Sequence, residues 1–197
     1  MPAIPSRELV LASSSTYRRE LLTRLRLPFT AASPDIDEHP APGELAHDLA
    51  LRLALEKARA VGQRFPRALV IGSDQVAEVA GTLLGKPGDR VGNIRQLQLA
   101  RGQTVAFATA VCLLDTGSDR AQRSVVQVRV TMRDYTDEAI ERYTDVEKPY
   151  DCAGGARIES LGISLVERIE ADDPSALIGL PLIELCRMLR NEGIALP

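Results

Sequence analysis

Apolar positions recur along this chain in two periods, one close to 3.6 residues and one of two, and their alternation predicts an α/β fold. Glu8 to Ala12, with the apolar run Leu9 to Ala12, reads as a strand; a helix follows from about Thr16 to Arg26 and a short strand near Phe29 to Ala32, which makes a βαβ opening. After the turn from Ser33 to Pro40, a Leu- and Ala-rich helical pattern runs from about Gly43 to Arg64, with Ala46, Ala50, Leu53 and Lys57 on one face. The continuous apolar run from Arg67 to Val76 reads as a buried strand ending in Asp74. A hairpin-like piece from Val76 to Leu84 turns at Ala80-Gly81 and leads into the loop Gly85-Lys86-Pro87-Gly88.

A helix from about Asp89 to Ala100 precedes two long strands, Thr104 to Asp115 and Ala121 to Asp134. In the second, Val126, Val128, Val130 and Met132 alternate with Gln127, Arg129, Thr131 and Arg133, the half-buried pattern of an antiparallel strand, so the sheet is predicted to be mixed. Thr136 caps a helix that ends before Pro149. The segment from Asp151 to Gly162 is too glycine-rich for a regular element and reads as a functional loop. A strand from Ile163 to Ile169 and a helix opening at Pro181, with Leu182, Leu185, Cys186 and Leu189 inward and Gly193 as its stop, close the chain.

Composition narrows the class. No Gly-, Ser- or Pro-rich linker divides the 197 residues, so residues 1–197 are expected to form a single domain, as one body or two closely packed lobes. Apolar content of 45% and charged content of 26% suit a globular protein. The stretch from Met1 to Glu8 lacks a signal-peptide core and no run is long enough to span a membrane, so a cytoplasmic protein with no membrane partner is expected. The formal net charge of -3 argues against a nucleic-acid partner. Cys112, Cys152 and Cys186 have no metal or disulfide spacing and read as buried thiols, and two histidines, His39 and His47, make no transition-metal cluster. Lysine is scarce: of 24 basic residues only Lys57, Lys86 and Lys148 are lysine, which marks them as places where a compact ammonium is needed.

Two of those lysines fall in segments that carry chemistry. Ser13-Ser14-Ser15 followed by Thr16-Tyr17-Arg18-Arg19 at a helix start makes a phosphate cradle, because free N–H groups and the helix dipole favour an anion there. The same residues also read as a serine-rich N-cap with two solvated arginines. Asp74, at a strand C-terminus, reads either as a ligand-facing carboxylate or as a turn-forming one. Lys57 reads either as a snorkelling edge residue or as an ammonium reaching a polar pocket. With Asp37, Glu38 and Lys86, these groups suit a polyphosphate held by cations and a divalent ion. Gly85-Lys86-Pro87 lacks the P-loop glycine spacing, which excludes a Walker-type kinase or ATPase.

The ordered set from Ser13 to Leu22, Asp35-Ile36-Asp37-Glu38, Glu56-Lys57-Ala58, Gly72-Ser73-Asp74-Gln75-Val76, Gly85-Lys86-Pro87, Tyr150 to Gly154 and Leu177 to Pro181 resembles the Maf family of nucleoside triphosphate pyrophosphatases, over nearly the whole chain. The resemblance implies a fold like that of inosine triphosphate pyrophosphatases, a mixed central sheet flanked by helices with two lobes around a cleft, and a homodimer. It implies hydrolysis of a nucleoside triphosphate substrate to monophosphate and pyrophosphate with Mg2+, Mn2+ or Co2+. Asp74, Glu38, Lys57 and Lys86 match its catalytic residues, Glu38 and Asp74 its metal site, and Ser13, Ser15, Tyr17, Arg18, Arg19, Gln75 and Glu159 its substrate contacts.

Within the family, the dTTP/UTP-cleaving branch typically carries Arg, Thr and Gln where this chain has Tyr17, Gln75 and Glu159; the branch resembling 7-methyl-GTP pyrophosphatases carries an aromatic residue, Gln and Glu, as here. An aromatic face attracts a base made cationic by N7 methylation, and a carboxylate accepts from both N1–H and the exocyclic amine. A dTTP/UTP pyrophosphatase and a nucleotide-binding regulator of septum formation are the alternatives. Two positions depart from the family pattern: Thr16 replaces a common proline, and Ser160 a glycine that commonly follows the specificity glutamate.

Overall fold

A computed structural model describes residues 7–197; residues 1–6 of the stretch read for a signal sequence lie outside the described residues. Its strands are β1 (Leu9–Ala12), β2 (Thr30–Ala32), β3 (Leu69–Val79), β4 (Thr82–Leu84), β5 (Thr104–Asp115), β6 (Arg120–Met132) and β7 (Val166–Ala171). Its helices are α1 (Thr16–Thr23), α2 (Ala46–Gly62), α3 (Arg90–Ala100), α4 (Asp137–Glu147), α5 (Pro174–Ile178) and α6 (Leu182–Asn191). Among the described residues the strands form one seven-stranded sheet in the order β2-β1-β3-β5-β6-β7, with β4 paired to β3. The sheet is mixed, as the alternation in β6 predicts: β1 runs parallel to β2 and β3, whereas β4 and β7 run antiparallel to β3 and β6.

The chain divides into two compact units. The first takes residues 7–74, 109–126 and 173–197. Its core joins Leu9 and Leu11 of β1, Leu21 and Leu22 of α1, Leu69 and Ile71 of β3, Val111 and Leu113 of β5, and Leu185 and Leu189 of α6. Every second residue of the strands and the one-turn pair Leu185 and Leu189 of α6 enter it, so both periods meet in one interior. The second unit takes residues 75–108 and 127–172. Phe107, Val128, Val130, Leu97 and Ile140 are buried there. Asn93 of α3 joins its parts through two hydrogen bonds: its amide donates to Gly155 O at 2.8 Å, and Thr144 Oγ1 of α4 donates to Asn93 Oδ1 at 2.8 Å.

Several elements differ from the sequence reading, first β3, which runs on to Val79 because Ala77–Val79 pairs with β4, so that Asp74 lies inside the strand and not at its C-terminus. Helix α1 stops at Thr23, short of Arg26, whose φ of +55° takes the chain out of the helix. Helix α2 opens at Ala46, since Gly43 turns at φ +75°. The expected strand from Ile163 to Ile169 begins only at Val166, because Leu161–Leu165 is a 3-10 turn. The five-residue α5, capped by Asp173 with proline in its first turn, was not expected. Of the cysteines Cys112 is buried, and burial pushes its thiol up to about 12; Cys152 and Cys186 are only half-buried, a correction to the reading of three buried thiols. Among the described residues no helix is long and apolar enough to cross a membrane.

Candidate functional site

The first unit gathers charge around the end of its share of β3. Gly72 explains how: a Cβ at that position would lie 2.0 Å from Ala54 O and 2.9 Å from Ala58 N, so only glycine lets the strand approach the backbone of α2 so closely. Lys57 sits on α2 between those two alanines, and Asp74 lies two residues beyond Gly72. The Lys57 ammonium consequently reaches Asp74 Oδ1 at 2.6 Å and Glu38 Oε1 at 2.7 Å. Side-chain exposure is 5% for Lys57, 10% for Asp74 and 47% for Glu38, so a desolvated ammonium joins one buried and one open carboxylate. A buried cation is tolerable only with such partners, and of the two readings of Lys57 the polar pocket is the one observed.

Arg18 adds a second cation. Its guanidinium is half-buried; burial lowers its pKa from the ordinary arginine value, while the charges of Asp74 and Glu38 pull it back up. Nε donates to Gly179 O at 2.8 Å, and the same carbonyl lies 2.9 Å from Ser73 Oγ, which also reaches Ala110 O at 2.7 Å. Gly179 follows α5 at φ +116°, so the backbone turn that ends α5 aims a carbonyl at the arginine. This leaves the two terminal nitrogens of Arg18 for an anionic ligand.

Of the two readings of the serine loop, the helix cap is the one the hydrogen bonds show. Ser15 is the N-cap of α1, accepting from Arg18 N at 3.3 Å, and Ser13 Oγ accepts from Ser15 N at 3.1 Å. Each hydroxyl accepts from the backbone and keeps its own proton to donate. Tyr17 is half-buried, and the Arg19 side chain is exposed.

Sequence reasoning missed Ser73 and Gly179 as supports of Arg18, and also Arg52. The Arg52 guanidinium donates from Nε and Nη2 to the Glu44 carboxylate at 2.7 and 2.8 Å, from Nη1 to Glu56 at 3.1 Å, and from Nη2 to His39 O at 3.1 Å. It thereby tethers the acidic turn next to Glu38 to α2, and holds the Glu44 carboxyl down at about 2. A hint was available for Arg52: it lies four residues before Glu56 on the same helix.

The second unit carries Gln75, Lys86 and Glu159. Gln75 is half-buried in β3. Lys86 is exposed on the loop between β4 and α3, a loop fastened where Gln96 Nε2 donates to Gly85 O at 3.0 Å and Gly88 N to Tyr150 O at 3.0 Å. Glu159 lies at the surface between the 3-10 turns Ala153–Gly155 and Leu161–Leu165; desolvation by the neighbouring loop atoms raises its pKa, opposed by its own backbone hydrogen bond and by Arg157.

The chain is similar to known proteins along nearly its whole length. The family described as Maf-like protein matches residues 8–192. A protein named 7-methyl-GTP pyrophosphatase from Polaromonas sp. (strain JS666 / ATCC BAA-500) is 57% identical over 191 residues, covering 97% of this chain and 87% of that protein. Proteins of the same name from Cupriavidus pinatubonensis and Aromatoleum aromaticum are each 54% identical, covering 98% and 96% of this chain and 97% and 98% of their own lengths.

Proposed function

The chain belongs to the Maf family, and from that premise we propose that it is a nucleoside triphosphate pyrophosphatase acting on 7-methyl-GTP. Water forms a bond to the α-phosphorus, the bond from that phosphorus to the bridging oxygen breaks, and pyrophosphate leaves with the nucleoside monophosphate as the other product. Asp74 orients the water and accepts its proton: Oδ1 is committed to Lys57, which leaves Oδ2 for that task. Arg18 and Lys57 supply cations that balance charge on the phosphates, and the family resemblance assigns Lys86 the same task. Ser13 and Ser15 add hydroxyl donors to the α1 N-terminus, with Arg19 as an outer cation.

A divalent cation fits the donor set. Glu38 and Asp74 supply two carboxylates, and among the described residues no group of three His, Cys, Asp or Glu side chains gathers to cage a metal. Such a pair suits Mg2+, Mn2+ or Co2+ completed by water and phosphate oxygens. When bound, the ion withdraws charge from the phosphate oxygens.

For the base, Tyr17 offers an aromatic face to the cationic methylguanine, and Glu159 accepts from its Watson–Crick edge, with Gln75 as a further polar contact. The observation that carries the reading is the Glu38–Lys57–Asp74 cluster in a chain more than half identical to proteins named for this activity. A homodimer and a cytoplasmic setting, where nucleotides are abundant, go with it. The test is pyrophosphate release from 7-methyl-GTP, GTP, dTTP and UTP with Mg2+ or Mn2+. Highest kcat/KM on 7-methyl-GTP supports the reading; preference for dTTP or UTP overturns the base assignment, and no release from any of them overturns the enzyme assignment.

A further inference from the structure

Ser160 departs from the family's glycine, and the second unit gives it a task. Glu147, the last residue of α4, has a side chain only 9% exposed, although α4 itself ends in a solvent-facing turn. Its two oxygens are fully engaged by the loop that carries Glu159. Oε1 accepts from Arg157 Nη1 at 2.8 Å, and Oε2 accepts from Ser160 Oγ at 2.9 Å and from Leu161 N at 3.3 Å. The bonds fall on both sides of Glu159, at two positions before it and at one and two after it. One turn earlier on α4, Tyr143 Oη accepts from Arg157 N at 2.8 Å, and burial raises the pKa of that phenol so that it stays neutral. Within the loop, Ser160 N and Gly162 N both donate to Arg157 O, at 3.1 and 2.9 Å. A Cβ on Gly162 would lie 2.4 Å from that carbonyl, so the turn closes tightly around Glu159.

We propose that Glu147 and Ser160 are the positioning residues of base recognition: the Glu147 carboxylate clamps the loop on either side of Glu159, with the Ser160 hydroxyl as one jaw, and so fixes where the Glu159 carboxylate stands. The inference rests on Glu159 being the base-reading group. Glycine at position 160 offers no side-chain donor to Oε2, so Ser160 adds a fastening absent from the common family pattern. Neither residue touches substrate in this account; each acts through the placement of Glu159.

The experiment compares Ser160→Ala, Ser160→Thr, Glu147→Gln and Glu159→Gln by kcat and KM for 7-methyl-GTP and for UTP. Ser160→Ala is expected to lower the 7-methyl-GTP to UTP ratio of kcat/KM by about threefold to tenfold, because one exposed hydrogen bond to the Glu147 carboxylate is lost, and to do so through KM. Ser160→Thr restores the hydroxyl and the ratio. Glu147→Gln lowers it further, because an amide at either oxygen faces a donor with a donor. Amide hydrogen exchange at Leu161 quickens in Glu147→Gln, and Ser160→Ala, at an exposed site, keeps the test independent of folding. If Glu159→Gln lowers the ratio while Ser160→Ala and Glu147→Gln leave it unchanged, the clamp is refuted and the base reading stands. If Glu159→Gln itself leaves the ratio unchanged, the base reading falls and the clamp with it.

Discussion

Lys57 in the first unit and Glu147 in the second are both nearly buried charges that hold other groups in place, but they hold different kinds of thing. Lys57 grips two carboxylates directly, from a helix pressed against β3 at Gly72. Glu147 grips a loop by its backbone and by two side chains, leaving Glu159 itself out of the contact. The first arrangement is set by the packing of regular elements, so moving the ammonium means moving a helix. The second is set by a few hydrogen bonds to an irregular segment, each worth about 1 to 3 kcal/mol. Chemistry common to a family belongs on the first kind of support, and selectivity that differs between branches on the second.

The contrast breaks most sharply at Asp74. Asp74→Asn keeps the shape and removes the charge, and is expected to cut kcat/KM on 7-methyl-GTP and UTP alike by more than about a thousandfold, ~4 kcal/mol of barrier. Activity on either nucleotide within about tenfold of the unaltered protein would remove Asp74 from its role. Gly72→Ala attacks the support instead. Forcing a methyl against Ala54 O is expected to cost about 3 kcal/mol of stability, a fall of roughly 6–12 °C in Tm by calorimetry, with turnover of both nucleotides lost together. An unchanged Tm would show that α2 can yield, and that the close approach does not set the site.

Lys57→Arg keeps the charge but replaces a compact ammonium between two carboxylates by a planar fork. A loss of about tenfold to a hundredfold in kcat on both nucleotides is expected, and unaltered kinetics would make the scarcity of lysine in this chain mere composition. The smallest effect is one of pH. Desolvation by its loop raises the pKa of Glu159 above the ordinary glutamate value, and under the proposed base reading the ionised form is the one that would accept from the base. The 7-methyl-GTP to UTP ratio is therefore constant at pH above that raised pKa and falls as pH drops through it, while Glu159→Gln gives a ratio flat in pH. A ratio that rises on acidification would contradict the sign.

Much of this was legible in the residues themselves. The face holding Ala46, Ala50, Leu53 and Lys57 and the alternation in β6 each became the element the periodicity required, because burial imposes those periods, whereas the strand through Asp74 runs on to Val79 rather than ending there. Supports that join distant segments were not legible: Gly179 lies 161 residues from the arginine it anchors, and no local pattern encodes that meeting. Ile163 to Leu165, read as the start of the last strand, misled for a related reason. Its apolar and small residues alternate as a strand's do, but the approach of Gly162 to Arg157 O bends it into a turn. The serine loop was ambiguous because a good helix cap and a good anion cradle ask for the same hydroxyls.

The central claim, that hydrolysis and base choice rest on separately supported groups, is tested most directly by the kcat/KM ratio for 7-methyl-GTP over UTP in the unaltered protein and in Glu159→Gln, beside the absolute rates of Asp74→Asn. A ratio lowered by about 10- to 100-fold in Glu159→Gln, with UTP turnover retained and both rates lost in Asp74→Asn, is the result predicted from one bidentate base contact. Equal loss on both nucleotides in Glu159→Gln, or a ratio unmoved by it, would contradict the separation.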